Sequence, residues 1–293
     1  MILIFSALIS LVVSLVTCIV FFQLATKRKV EEKEEPVPVI SESAHEPEEH
    51  EEKEDYVLYH SEPIKDYAFN NFFTDDPAFI ENMKSMVDNY SSSNPVIIRG
   101  PTGIGKTHLM RAFENYLLEK NPTLKTYFIS AEAFTSEFID SIKNHKINQF
   151  KEKYRNLDAL FIDDLNYLGY KESTQEELFY TLSELLQKKA FICFGLTTPF
   201  SFKMGFSERL ISLIKGIQID VPVPGFDAKR KKVMQIFSDA KCYVNGDLVD
   251  FLANPNISFN EVVGLCQRLI IMKQLEGKGC VNLKIEDIKP LIS

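Results

Sequence analysis

Eight residues constrain this chain more than any others. Positions 100–107 read GPTGIGKT, the full G-x-x-x-x-G-K-[ST] pattern. The run PVIIR at 95–99 reads as a short buried strand leading into it. Residues 107–118 read as a helix leading out, stopped near Asn121 and Pro122. Glycines allow positive φ and let successive backbone N–H groups face one anion. The helix N-terminus adds a partial positive charge. A strand–loop–helix setting argues against a glycine-rich turn with a chance lysine. Gly100, Pro101, Thr102, Gly103, Ile104, Gly105, Lys106, Thr107 and His108 are therefore expected to cradle the phosphates of ATP. Lys106 would reach the β- and γ-phosphates, and the Thr107 hydroxyl would hold Mg²⁺. His108 is better read as packing beside the nucleotide than as a catalyst.

Such a loop needs a partner: an apolar strand ending in a carboxylate. Leu160, Phe161, Ile162, Asp163 and Asp164 supply it. Asp163 is expected to support the Mg²⁺ shell. Asp164 is expected near the γ-phosphate, polarising water as general base. Lys106 and Asp164 are thus the candidate catalytic residues. Further strand-like runs fall at 125–130, 158–163, 191–196 and 216–221. Between them, Phe134, Phe138 and Ile142 mark one helical face, and Leu178, Leu182, Leu185 and Leu186 mark another. Strands alternating with helices predict an α/β fold: a P-loop domain over 61–225 whose parallel sheet is flanked by helices. From residue 226 to 293 only helical periods occur, as in Val233, Ile236, Phe237, Ala240 and then Val262, Leu265, Leu269, Met272. That predicts a small all-α lid.

The N-terminus differs in kind. Residues 1–26 carry no charged side chain, and about 20 helical residues span a bilayer core, so 2–24 is expected to be a transmembrane anchor. A cleaved signal peptide would need a basic n-region, whereas Lys27, Arg28 and Lys29 follow the apolar run. Basic flanks stay inside, which predicts a single-pass membrane protein with its globular part in the cytoplasm. Residues 27–60 read as a linker, first basic and then acidic. Eleven Glu, one Asp and only two Lys fall within 30–55. Such a segment buries too little to offset chain entropy and reads as a self-repelling spacer rather than a recruiting tail. Residues 30–55 sum to −10 and residues 27–29 to +3, so of the net −8 only −1 falls on residues 56–293, which are near neutral. Five cysteines without C-x-x-C spacing predict buried reduced thiols. His45, His50 and His60 read as solvated, and His145 has no obvious partner.

The runs GKTHLMRAFENYLLEKNP (105–122), FTSEFIDSIKNHKINQFKEKYRNLDALFIDDLNYL (134–168) and KESTQEELFYTLSELL (171–186) resemble the ATPase core of the bacterial replication initiator family, DnaA. YAFNNFF at 67–73 is similar to the family's entry segment, which packs near adenine. The likeness covers about residues 65–290. It implies an AAA+ ATPase that self-associates or pairs with a DnaA-type partner, with a role in replication initiation. It also implies a weak single-stranded DNA contact through the paired helices at 134–154, with Ile139 at the family's apolar position. Plain helix packing explains Ile139 equally well. Lys143, Lys146, Lys151 and Lys153 are the candidate basic patch, and a solvated face explains them too.

The sequence departs from the family's pattern in four places. A membrane segment stands where the N-terminal interaction domain is expected. The helix-turn-helix that reads duplex boxes is not expected, so sequence-specific duplex binding is not either. In SERLISLI (207–214) Arg209 keeps one finger position, but Leu213 occupies the other. In the lid, Asn260 stands at the sensor-2 arginine. Sensor 1 falls on Thr197 or Thr198. These changes predict good ATP binding and slow hydrolysis. They leave open an ATP-bound adaptor of the true initiator, and a helicase-loader-like P-loop ATPase.

Overall fold

The computed structural model describes residues 66–90, 94–198, 205–276 and 283–292. The expected anchor at 2–24 and linker at 27–60 lie outside these residues. Among the described residues no helix is long and apolar enough to cross a membrane.

Five strands form the sheet: β1 (Val96–Gly100), β2 (Thr126–Ser130), β3 (Ala159–Asp163), β4 (Phe191–Thr197) and β5 (Ile217–Asp220). Their order is β2-β3-β4-β1-β5, and every pairing is parallel. Parallel strands joined by crossover helices bury both faces, which is why the inner strands β1, β3 and β4 are apolar without alternation, whereas the edge strand β5 reads IQID and is mostly exposed. The period of two still sorts side chains between the faces. Ile97, Ile162 and Phe194 join one core with Phe134, Tyr154 and Leu178. Val96, Ile98, Phe161 and Cys193 join the other with Leu109, Met110 and Phe113. Cys193, Cys242 and Cys266 are buried.

The helices around the sheet are α1 (Pro77–Asp88), α2 (Lys106–Lys120), α3 (Ala131–Lys143), α4 (Ile147–Arg155), α5 (Glu172–Gln187) and α6 (Glu208–Ile214). The face expected through Phe134, Phe138 and Ile142 holds only for the first two. Ile142 is 52% exposed. The chain turns there: α3 stops at Lys143, His145 takes φ 57°, and α4 folds back to lay Phe150 and Tyr154 on Phe134. The edge strand is also shorter than the expected 216–221. Gly216 abuts Pro95, whose carbonyl oxygen would lie 1.7 Å from an added Cβ, and pairing starts at Ile217.

The lid comprises α7 (Phe226–Asp239), α8 (Gly246–Leu252), α9 (Phe259–Leu275) and α10 (Ile285–Ile292). It has its own core of Val233, Phe237, Leu248, Val262, Leu265 and Leu269, with Ile288 beneath. A single bridge, Val244 to Leu283, is its only extended pairing among the described residues. The hinge is fastened from far upstream: the Asp75 carboxylate accepts the N–H groups of Gly225 and Ala228 at the start of α7. A side-chain acceptor there satisfies donors that the helix itself leaves open.

Candidate functional site

β1 delivers the loop and α2 receives it. Gly103 (φ 78°) and Gly105 (φ 106°) both occupy the left-handed region, where a side chain is strained. Gly105 is the N-cap of α2, and no side chain caps the helix there. Its first N–H groups face the loop, the arrangement that suits an anion. Lys106 is 6% exposed, and its Nζ donates to the carbonyls of Gly100 and Pro101, both at 3.1 Å. Burial lowers the pKa of this ammonium, and Asp163 and Asp164 oppose the shift.

The Asp163 carboxylate, at the end of β3, meets the first turn of α2. Thr107 Oγ1 donates to Asp163 Oδ2. Asp163 Oδ1 accepts the backbone N–H of Asp164 at 2.9 Å. Asp163 is buried, whereas Asp164 is exposed in a left-handed turn with φ 51°. The two acids therefore face different surroundings although adjacent in sequence. Mg²⁺ keeps several waters and takes few carboxylates, so a hydroxyl beside one buried carboxylate fits it. Among the described residues no group of three or more His, Cys, Asp or Glu converges as a metal cage.

Of the two sensor candidates, Thr197 reaches the acids: its Oγ1 lies 3.4 Å from Asp164 Oδ1. Thr198 instead uses its backbone N–H, donating to Gly100 O at 3.1 Å. His108 packs against residues 67–72. Its Nε2 lies 3.2 Å from Ala68 O, and its ring meets Tyr67 and Phe72 edge-on. Burial, the largest cause, lowers its pKa; the Ala68 carbonyl opposes this, while Lys232 in the lid adds to it.

Arg209 joins none of these contacts. Its guanidinium stacks 4.5 Å above Phe179, beside a cavity of about 540 Å³ shared with Tyr170, Glu172 and Glu176. Leu213 is half-buried against the core. Asn260 does come to the loop, since a Cβ added at Gly103 would fall 1.6 Å from its Nδ2. Ile139 is 42% exposed, close to Ile142 on the same helix. Lys153 is withdrawn from the expected basic patch: it pairs with Glu137 at 2.7 Å and lies over Tyr127.

Three residues that the sequence reading did not single out complete the site. Asn166 donates to Thr197 O at 2.9 Å and accepts from Thr197 N at 2.8 Å, clamping the end of β4. No local pattern announces it. Gly195 makes room for Asp163: a Cβ there would fall 2.1 Å from Asp163 Oδ1. A glycine inside a strand is a recognisable sign of such close approach. Asp75 fixes the lid hinge.

A parallel sheet in this order, a glycine loop between β1 and a helix, paired acids ending β3 and a helical lid define a P-loop ATPase of the AAA+ type. Residues 64–220 match the family described as the bacterial DnaA ATPase domain, and the chain belongs to that family. Domain III of the Thermotoga maritima replication initiation protein DnaA is 26% identical, with a TM-score of 0.68 over 78% of this chain and 95% of that one. A replication initiator DnaA bound to AMPPCP and single-stranded DNA is 27% identical, with a TM-score of 0.62 over 72% of this chain and 66% of that one. AMPPCP-bound DnaA from Aquifex aeolicus is also 27% identical, at TM-score 0.61 and the same coverage. The Thermotoga maritima RuvB branch migration motor shares the fold at 14% identity and TM-score 0.57.

Proposed function

We propose that the protein is a membrane-anchored, DnaA-like ATPase that binds ATP with Mg²⁺, hydrolyses it slowly, and acts in or on the initiation of DNA replication. One observation carries the reading: a loop with two left-handed glycines sets Lys106 beside a Thr107–Asp163 pair, with Asp164 and Thr197 alongside. Lys106 and the first-turn N–H groups of α2 would hold the phosphates. Thr107 and Asp163 would hold Mg²⁺, whose chemistry is to neutralise charge on the transferred group. Asp164, exposed and free of Mg²⁺ duty, would orient water. Anchoring by residues 2–24, with the ATPase in the cytoplasm, is part of the proposal and rests on the charge pattern of the sequence.

Exposed Ile139 and Ile142 support a single-stranded DNA contact. A relative was solved with such DNA bound. Base stacking alone is worth about 1–3 kcal/mol per base where aromatics line a strand, and neither residue is aromatic, so weak binding is expected. A second reading, an ATP-bound adaptor of a DnaA-type partner, draws support from Leu213 and Asn260, which bring no charge.

Nucleotide binding and turnover of the full-length protein test the proposal. Lys106→Ala should abolish both, and Asp164→Asn should keep binding while losing turnover. No affinity for adenine nucleotide with Mg²⁺ present rejects the ATPase. Capture of purified DnaA, with no turnover at any protein concentration, favours the adaptor.

A further inference from the structure

The lid touches the phosphate loop through Asn260, and a buried cation lies behind the turn that precedes it. Lys229 is 3% exposed. Among the described residues it has no carboxylate partner. Its Nζ donates instead to three carbonyls: Asn254 (3.2 Å), Pro255 (3.2 Å) and Ile257 (2.6 Å). An ammonium has three donors, and all three are matched. The carbonyls belong to the turn between α8 and α9. That turn is otherwise closed by short local bonds, Asn256 N to Asn254 Oδ1 and Ile257 N to Asn254 O. Ser258 then caps α9 by accepting from Glu261 N, and Asn260 sits in the first helical turn. Its amide lies where a Gly103 Cβ would stand.

Lys229 itself lies one turn into α7, whose N-terminus is fixed by Asp75. A continuous path thus runs from Asp75 through the hinge to the loop. We propose that Lys229 is a positioning residue: by caging its ammonium in these carbonyls it holds the turn that delivers Asn260 to Gly103, and so sets the lid on the nucleotide loop. The role rests on the nucleotide site proposed above.

The mechanism is the directionality of a charged donor. An ammonium–carbonyl bond is stronger than a neutral one, and three acceptors around one nitrogen fix three peptide units at once. Without it, the carbonyls turn to water and α9 loses its register against Gly103. Arginine also offers several donors and should substitute in part, whereas methionine fills the space without donating.

Full-length Lys229→Met, Lys229→Arg, Asn260→Ala and the Met/Ala double variant test this, with two readouts. The first is the Kd of a fluorescent ATP analogue. Lys229→Met should weaken it about tenfold, the scale of one lost charged hydrogen bond. Lys229→Arg should recover most of that loss, and the double variant should be no weaker than Lys229→Met alone. The second readout is amide exchange of residues 101–105 without nucleotide, which should rise alike in Lys229→Met and Asn260→Ala. A purely structural lysine would lower the melting temperature and leave both readouts as in wild type, or multiply with Asn260→Ala; either result overturns the inference. Should Lys229→Met fail to fold, Asn260→Ala and Lys229→Arg still decide it: unchanged loop exchange in Asn260→Ala, or no recovery of affinity and protection in Lys229→Arg, refutes the path. If wild type binds no nucleotide the proposed function falls, and the exchange readout still judges the path from Lys229 to the loop.

Discussion

Replacing Gly195 by alanine adds one methyl group to the centre of the sheet, and its consequence follows from three distances. The new Cβ would lie 2.1 Å from Asp163 Oδ1, 3.1 Å from Asp163 Cγ and 2.9 Å from Met110 Sδ. The methionine can swing aside, because its side chain is flexible. The carboxylate cannot do so freely, since Oδ1 is held by Asp164 N and Oδ2 by Thr107. Relief therefore costs either those bonds or the register of β4 against β3. Overpacking costs about 1–3 kcal/mol, and a disturbed hydrogen bond to a charged group costs about 1.5–3 kcal/mol. A total of roughly 3–5 kcal/mol should lower Tm by about 6–20 °C in a domain of this size. The same displacement should blunt Mg²⁺-dependent tightening of ATP binding more than metal-free binding. Gly264→Ala is the internal control. It sits within α9, nothing lies within 4 Å of its Cβ, and alanine favours a helix by about 0.5–1 kcal/mol over glycine. Thermal melts and nucleotide titrations with and without Mg²⁺ measure both variants. A Gly195→Ala protein that melts within about 2 °C of wild type and keeps its full Mg²⁺ effect would refute the reasoning.

Three further outcomes are expected. His108 has a lowered pKa in the folded state, so the unfolded chain binds the proton more readily. Its contribution is full above the unfolded value near 6.5 and declines as pH falls below it; melts from pH 7.5 to 5.5 should show a shallower decline in His108→Gln than in wild type. Asp75→Ala removes the acceptor for Gly225 and Ala228 N–H, which should cost about 1–2 kcal/mol and raise amide exchange in the first turn of α7. Changes spread evenly over the lid would contradict a hinge-local role. Ile139→Asp with Ile142→Asp should leave Tm within about 2 °C, because both side chains face solvent, and should abolish any single-stranded DNA binding. Retained binding moves that contact elsewhere.

The phosphate loop was legible because its chemistry is local: eight consecutive residues define strand end, turn and helix start. Asp163 was legible because it ends an apolar run, and β3 is buried along its whole length. What escaped the sequence is what meets across the fold. Asn166 and Thr197 lie 31 positions apart, and Asp75 and Gly225 lie 150 apart. Nothing in the immediate neighbourhood of any of them marks its distant partner. Ile142 shows the opposite error. Its spacing predicts burial, but the left-handed turn at His145 ends the stripe before it can pack. Periodicity reads a face, and only tertiary contacts decide where that face stops.

In the proposed function, the charge around the cradle would serve binding more than turnover. Lys106 supplies a cation from the loop, and the helix start supplies N–H groups, so ground-state phosphate is well matched. The lid contributes the Asn260 amide, which can donate but carries no charge. Leu213 cannot stand in, and rotating it outward would forfeit part of the roughly 1.5–3 kcal/mol that burying a leucine supplies. A finger guanidinium is worth about 10³–10⁵ in rate, and Arg209 is the one candidate for it that the sequence retains. It rests on Phe179 and Tyr180, contacts worth only about 0.5–1 kcal/mol at an exposed site, so a closer anionic ligand can draw it away. Such a ligand would come from a second molecule. Specific activity should therefore rise with protein concentration in wild type and stay flat in Arg209→Ala. A rate per molecule that is constant over a hundredfold dilution, and equal in the two proteins, would show that the arginine supplies nothing to turnover.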